Sequence, residues 1–147
     1  AAQKGWRIFL LGASAESNQG ACDKLAAEYP GLKIVGRIDG YFQNSDEVVN
    51  RINASGADLV FVAMGSPKQE RWIDENRPAL DAPFCMGVGG TFDVVSGKAK
   101  WAPAFCRKTG TEWLYRLIVE PKRWRRQLVL PKFAFAVLQQ KLAVRGK

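Results

Sequence analysis

Histidine is absent from the 147-residue sequence. With it go the Ser-His and Cys-His nucleophile pairs, the His-Glu-x-x-His zinc site and imidazole general bases, so a proton acceptor has to be sought first among carboxylates. No Asp-x-Asp pair occurs either, which weakens the case for a divalent cation clamped against a nucleotide diphosphate. Charge neutralisation then falls to Arg, Lys and backbone dipoles, and the expectation is a site with no metal and no cofactor. Cys22, Cys85 and Cys106 are scattered without a Cys-x-x-Cys pair, so neither a disulfide framework nor a zinc ribbon is indicated, and a reducing cytoplasm fits. There is no run of 18 apolar residues and no charged-then-apolar leader in Ala1-Ala2-Gln3-Lys4, so nothing reads as a membrane span or a secretion signal. Contact with one face of a membrane stays open. Gly-x-Gly-x-x-Gly is missing after the first apolar run, as is Gly-x-x-x-x-Gly-Lys-Ser/Thr; neither a standard dinucleotide site nor a P-loop is supported.

What is present is a hydrophobic content of 47% over a length suited to one domain, enough to bury roughly 70% of the unfolded-chain surface. Apolar runs at Trp6–Leu11, Leu32–Val35, Leu59–Met64 and Phe84–Val88 read as buried strands with centres about 25 residues apart, room for a crossover helix between each pair. The first helix is expected from about Glu16 to Glu28, closed by Tyr29-Pro30-Gly31. The second is expected to start at Ser45 as N-cap and end near Ser55-Gly56; a third, Gln69–Leu80, begins around Pro67. The fold class implied is α/β, a Rossmann-like parallel sheet with crossover helices, whose ligand lies at the strands' carboxyl ends.

All four runs reach glycine there, in Gly12-Ala13-Ser14, in Gly36 to Phe42, in Gly65-Ser66-Pro67-Lys68-Gln69-Glu70 and in Gly87 to Asp93. Glycine lets a backbone approach a ligand closely, and N–H groups at a following helix start suit a phosphate. The bland reading, that glycines merely turn the chain, serves for Gly12 or Gly36 alone; four together point to an anionic small molecule. Gln69 and Glu70 open a helix, where an amide orients a sugar or phosphate and a carboxylate holds hydroxyls, although Glu70 also suits the helix dipole. Asp93 is placed to accept from ribose or base, or else to be an N-cap. Arg71, Trp72 and Arg77 read as packing and solvated surface.

The charge is uneven. Residues 1–97 hold 9 Lys+Arg and 12 Asp+Glu, net −3, whereas residues 98–147 hold 13 and 2, net +11. The chain therefore divides into an α/β region, 1–97, and a basic aromatic helical appendage, 98–147. In the appendage a helix from about Thr111 to Val119, a basic knot Lys122-Arg123-Trp124-Arg125-Arg126 and an amphipathic helix from Lys132 to about Val144 are separated by Pro121 and Pro131. Trp beside Arg suits a membrane interface, and four basic side chains near anionic lipid contribute roughly 4 kcal/mol. The alternatives are a basic helical pair packed on the domain and a single-stranded nucleic-acid surface, the latter supported by composition alone.

Several segments together are similar to the WecG/TagA/CpsF glycosyltransferases. They are Arg7 to Gly12, Tyr29 to Gly36, Gly40-Tyr41-Phe42, Gly65 to Glu70, Gly87 to Asp93, and Glu112-Trp113-Leu114-Tyr115-Arg116-Leu117 with Glu120-Pro121. The resemblance implies an inverting, metal-independent transferase that moves an N-acetylmannosamine-type sugar from UDP to an undecaprenyl-diphosphate-linked sugar in bacterial surface polysaccharide or teichoic acid synthesis. By motif, Gln69 contacts the donor sugar or reacting centre. The donor set is Gly12, Gly40, Tyr41, Gly65, Pro67, Glu70, Gly89, Gly90, Phe92 and Asp93. Arg116, Arg123 and Arg126 match arginines of the family's membrane-targeting appendage and neutralise a diphosphate of the acceptor or leaving group. The expected partners are a UDP-sugar, a lipid-diphosphate-linked acceptor and an anionic membrane surface, with no nucleic acid and with homo-oligomerisation left open. The expected location is cytoplasmic, peripheral on the inner face of the bacterial plasma membrane.

Trp101 stands where an Arg before Ala-Pro is common, and Thr111 replaces a usual Leu. The resemblance also implies an N-terminal segment bearing an Asp base and part of the acceptor pocket, which these residues do not contain. On that expectation the chain alone has little transferase activity, and Asp39 is its internal candidate for a base, against a plain turn role. The other reading is a non-catalytic nucleotide-sugar-binding or membrane-adaptor module.

Overall fold

The computed structural model describes residues 1–101, 103–119, 137 and 139. These form two compact units, Ala1–Lys100 and Trp101–Lys147.

In the first unit, strands β1 (Arg7–Gly12), β2 (Lys33–Ile38), β3 (Leu59–Ala63) and β4 (Phe84–Gly87) alternate with helices α1 (Ala15–Glu28), α2 (Ser45–Ser55), α3 (Lys68–Asn76) and α4 (Thr91–Val95). The sheet is parallel throughout, in the order β2-β1-β3-β4. This is the α/β, Rossmann-like arrangement expected from the spacing of the apolar runs. The chain steps from β1 outward to β2, then crosses back over β1 to β3, so the winding reverses between β1 and β3.

Strand alternation sorts the core onto two faces. Phe9, Leu11, Val60 and Val62 point to one side, where Val48, Val49 and Ile52 of α2 and Trp72 of α3 cover them. Ile8 and Leu10 point to the other, with Ala21 of α1 and Phe92 of α4. Leu10, Leu11, Val60 and Val62 are fully buried, as expected for strands packed on both faces.

Element boundaries differ from expectation where tertiary packing decides them. Gly36-Arg37-Ile38, expected as loop, belongs to β2. A Cβ at Gly36 would strike the Phe9 ring, and β1 and β2 slip register between Ile8 and Phe9; this glycine makes room for a core ring and does not turn the chain. Ser45 is not the cap of α2. Asn44 Oδ1 accepts from the N–H groups of Asp46 and Glu47 at 3.0 and 3.3 Å, while the Ser45 hydroxyl accepts from Trp72 Nε1 at 3.1 Å. α3 stops at Asn76, and Arg77–Ala79 form a single 3-10 turn, because Pro78 lacks an N–H and disrupts the α ladder. Asp93 lies inside α4, whose N-cap position is Gly90.

In the second unit, α5 (Ala104–Lys108) and α6 (Glu112–Val119) pack on each other across Thr109-Gly110-Thr111. Gly110 takes a left-handed φ of 70° at that turn. The α6 helix coincides with the one expected over Thr111 to Val119. The expected knot Lys122–Arg126 and the expected helix from Lys132 to Val144 lie outside the described residues, apart from Val137 and Gln139.

Candidate functional site

The four β–α loops of the first unit meet at the carboxyl ends of the strands, and backbone hydrogen bonds lace them together. Ala13 N–H donates to Ala63 O at 2.7 Å, Gly40 N–H to Ala13 O at 2.8 Å, and Val88 N–H to Val62 O at 2.8 Å. Gly12 permits the first of these: its φ is +109°, and a Cβ there would lie 2.5 Å from Ala63 O. Gly40 is also close, though less so, with Ala13 N at 3.2 Å from the place of its Cβ. Asn18 finishes this corner. It is fully buried on α1, and its Nδ2 donates to Gly12 O at 2.9 Å and Ile38 O at 3.0 Å, joining the ends of β1 and β2.

A second cluster joins the β3–α3 and β4–α4 loops. Gln69, only 6% exposed, accepts from Gly89 N–H at 2.9 Å and donates from Nε2 to Glu70 Oε1 at 2.8 Å. Its side chain packs against Gly87, where a Cβ would be 2.5 Å from Nε2. Gly65 bonds the Gln69 N–H through its carbonyl at 3.0 Å, and Pro67 occupies the N-cap position of α3. The Gln69 amide, the Glu70 N–H and the Ser66 hydroxyl hold the Glu70 carboxyl below its usual range. Beside this cluster Gly89 has φ +57° and open space where a Cβ would be, while its N–H is held by the Gln69 side chain.

The remaining expected residues scatter by role. Tyr41 is 79% exposed in the loop after β2. Asp39 Oδ1 accepts from Tyr41 N–H at 2.9 Å, the geometry of an Asx turn. Phe92 is 3% exposed and packs in the core with Ile8, Leu10 and Ala21; its ring anchors the loop from below. Gly90 lies next to the Asp93 carboxylate, with Oδ2 at 3.9 Å from the place of its Cβ. Arg116 lies on α6 of the second unit, and Arg123 and Arg126 lie outside the described residues.

Two residues of this region, Asn18 and Lys98, are not among the candidates that the sequence offers. Asn18 carried a signal, since Asn18, Ala21, Cys22 and Leu25 mark one helical stripe whose first member is polar and adjacent to a strand end. Lys98 carried none beyond its charge. No group of three or more His, Cys, Asp or Glu able to hold a metal occurs among the described residues.

A sequence model of the Glycosyl transferase WecG/TagA/CpsF family matches residues 1–147. The chain belongs to this family. It is 43% identical over 138 residues to the N-acetylglucosaminyldiphosphoundecaprenol N-acetyl-beta-D-mannosaminyltransferase of Bacillus subtilis (strain 168), a match covering 94% of this chain and 54% of the relative. To the protein of the same name from Bacillus spizizenii (strain W23) it is 41% identical over 141 residues, 96% of this chain and 55% of the relative. The chain spans about half the length of the curated relatives it matches. No described helix is long and apolar enough to cross a membrane.

Proposed function

We propose that this chain holds the donor of a glycosyltransferase that moves an N-acetylmannosamine-type sugar from UDP to an undecaprenyl-diphosphate-linked N-acetylglucosamine. The observation that supports the reading is the set of laced strand-end loops, where Gly89 leaves open space in place of a side chain beside the Gln69–Glu70 pair and the Gly90–Asp93 segment. The relatives' names support the transferred sugar and the acceptor. In the reaction the acceptor hydroxyl attacks the anomeric carbon from the face opposite the phosphate. The new C–O bond forms as the bond to the UDP oxygen breaks, the configuration inverts, and the hydroxyl proton passes to a carboxylate. Asp39 is the carboxylate offered by this chain at the end of β2. Gln69 is assigned to the donor sugar, Asp93 to the nucleoside, and Arg116, Arg123 and Arg126 to the acceptor diphosphate, in place of a metal.

The second unit is assigned to the inner face of the plasma membrane. Phe105 and Ile118 are 72% and 70% exposed there, and the basic excess of residues 98–147 supplies attraction to anionic lipid.

Calorimetry with UDP in excess EDTA tests the site. Binding should persist without metal and weaken about tenfold or more in Asp93→Ala and Gly90→Val. A requirement for Mg²⁺, or affinity untouched by both substitutions, defeats the reading. In the same series Asp39→Asn should leave UDP affinity unchanged; turnover by residues 1–147 alone should be little or none, and strong turnover that Asp39→Asn abolishes would assign Asp39 as the base.

A further inference from the structure

Lys98 lies just beyond α4 in a turn that is fixed to the body of the first unit. Ser96 Oγ and Ala99 N–H both donate to Asp93 O, at 3.0 and 2.8 Å, and Gly97 N–H donates to Val94 O at 3.0 Å. The turn sits directly on α1 because Gly20 has no side chain: a Cβ there would lie 2.9 Å from Ser96 Cβ. From this base the Lys98 ammonium reaches back across 82 residues to Glu16 Oε2 at 2.9 Å, and lies 3.4 Å from Ser14 Oγ. Ser14 and Glu16 belong to the start of α1, at the end of β1 where the winding reverses. Glu16 is the main cause of a raised Lys98 pKa, and Asp93 and Tyr41 also lie near enough to add to it. One cation therefore joins the turn after α4 to the start of α1, at the carboxyl end of β1.

We propose that Lys98 contacts a phosphate of the bound nucleoside diphosphate, leaving Glu16 to do so. The inference rests on the donor reading above. The pair Lys98–Glu16 is exposed, with side chains 50% and 83% accessible, and such a pair is weakly held. A diphosphate offers more negative charge than one carboxylate and accepts all the donors of an ammonium. Asp93, an acceptor, suits the nucleoside, and Lys98, five residues on and held to Asp93 O through Ala99, suits the phosphates attached to that nucleoside. The Glu16 carboxylate keeps the cation at the carboxyl end of β1.

The test is binding of UDP and of uridine to the full 147-residue chain by calorimetry or competition. Lys98→Met should weaken UDP about tenfold and leave uridine unchanged, whereas Lys98→Arg should retain most of the UDP affinity. Glu16→Gln should tighten UDP severalfold by removing the competing carboxylate. Lys4→Met, a charge change before β1 at the opposite end of the sheet, should alter neither. Equal losses for UDP and uridine in Lys98→Met, no loss, or weaker UDP binding in Glu16→Gln overturns the inference while the Asp93→Ala effect still upholds the donor site. No UDP binding by the unsubstituted chain overturns both.

Discussion

Replacing Gly87 by Ala isolates the packing of Gln69, because Gly87 does not have a positive φ and the backbone accepts alanine without strain. The new methyl would lie 2.5 Å from Gln69 Nε2, 2.8 Å from Cδ and 3.0 Å from Cγ. Three consecutive atoms of the side chain must move together, and the move breaks the 2.9 Å bond from Gly89 N–H and the 2.8 Å bond to Glu70. Overpacking costs about 1–3 kcal/mol and the lost Gly89 bond about 1 kcal/mol, against a gain of about 0.4–1 kcal/mol from a less flexible unfolded chain. The net is a loss of about 2 kcal/mol, read as a lower urea midpoint at constant m. Gln69→Ala removes all three atoms. In that background Gly87→Ala should be neutral or stabilising by about 0.5 kcal/mol, so the double-mutant cycle should show a coupling of about 2 kcal/mol. Equal destabilisation by Gly87→Ala in both backgrounds would refute the contact. UDP affinity in the same proteins should fall with Gly87→Ala, since the Gly89 loop is freed.

Two further outcomes depend on charge. Asp58 accepts from Arg7 N–H at 2.8 Å and pairs with its guanidinium at 2.9 Å, which depresses the carboxyl from its ordinary 3.8 to about 2. Its stabilising contribution is complete above the ordinary value and is lost as pH falls from there towards about 2, so Asp58→Asn should flatten the acid limb of Tm against pH over that window; an unchanged limb would count against the pair. Co-sedimentation with phosphatidylglycerol vesicles should fall sharply on deletion of residues 121–147 and partly in Arg123→Glu/Arg126→Glu, and should weaken as salt rises. Equal retention by neutral vesicles refutes the membrane assignment, and salt-sensitive binding to single-stranded RNA without vesicle binding would favour the nucleic-acid alternative.

The strands, the crossover helices and α6 were legible because their signals are short in range. Apolar runs at about 25-residue intervals require parallel strands joined by helices, and the reach from Glu112 to Val119 is bounded by Thr111 and Pro121. The glycine-bearing strand ends were legible for the same reason, and their convergence is a consequence of the parallel sheet. Gly36 misled because a glycine that clears space for Phe9 has the same letter as one that turns the chain. Ser45 and Asn44 are both good caps, and the choice went to Asn44 in a structure where the Ser45 hydroxyl accepts from Trp72, 27 residues away.

The sequence by itself determined the α/β class, the glycine-bearing turns at the strands' carboxyl ends and the concentration of positive charge beyond residue 97. Periodicity, composition and turn chemistry act between near neighbours, so they can be read in chain order. Only the tertiary structure decided that Gln69 lies on Gly87, that Phe92 is core and that Lys98 stands over Glu16 and Ser14. Each of these depends on two surfaces brought within a few ångströms by the packing of helices on a sheet, at chain separations of up to 84 residues, and close packing selects such contacts by shape that no local pattern encodes.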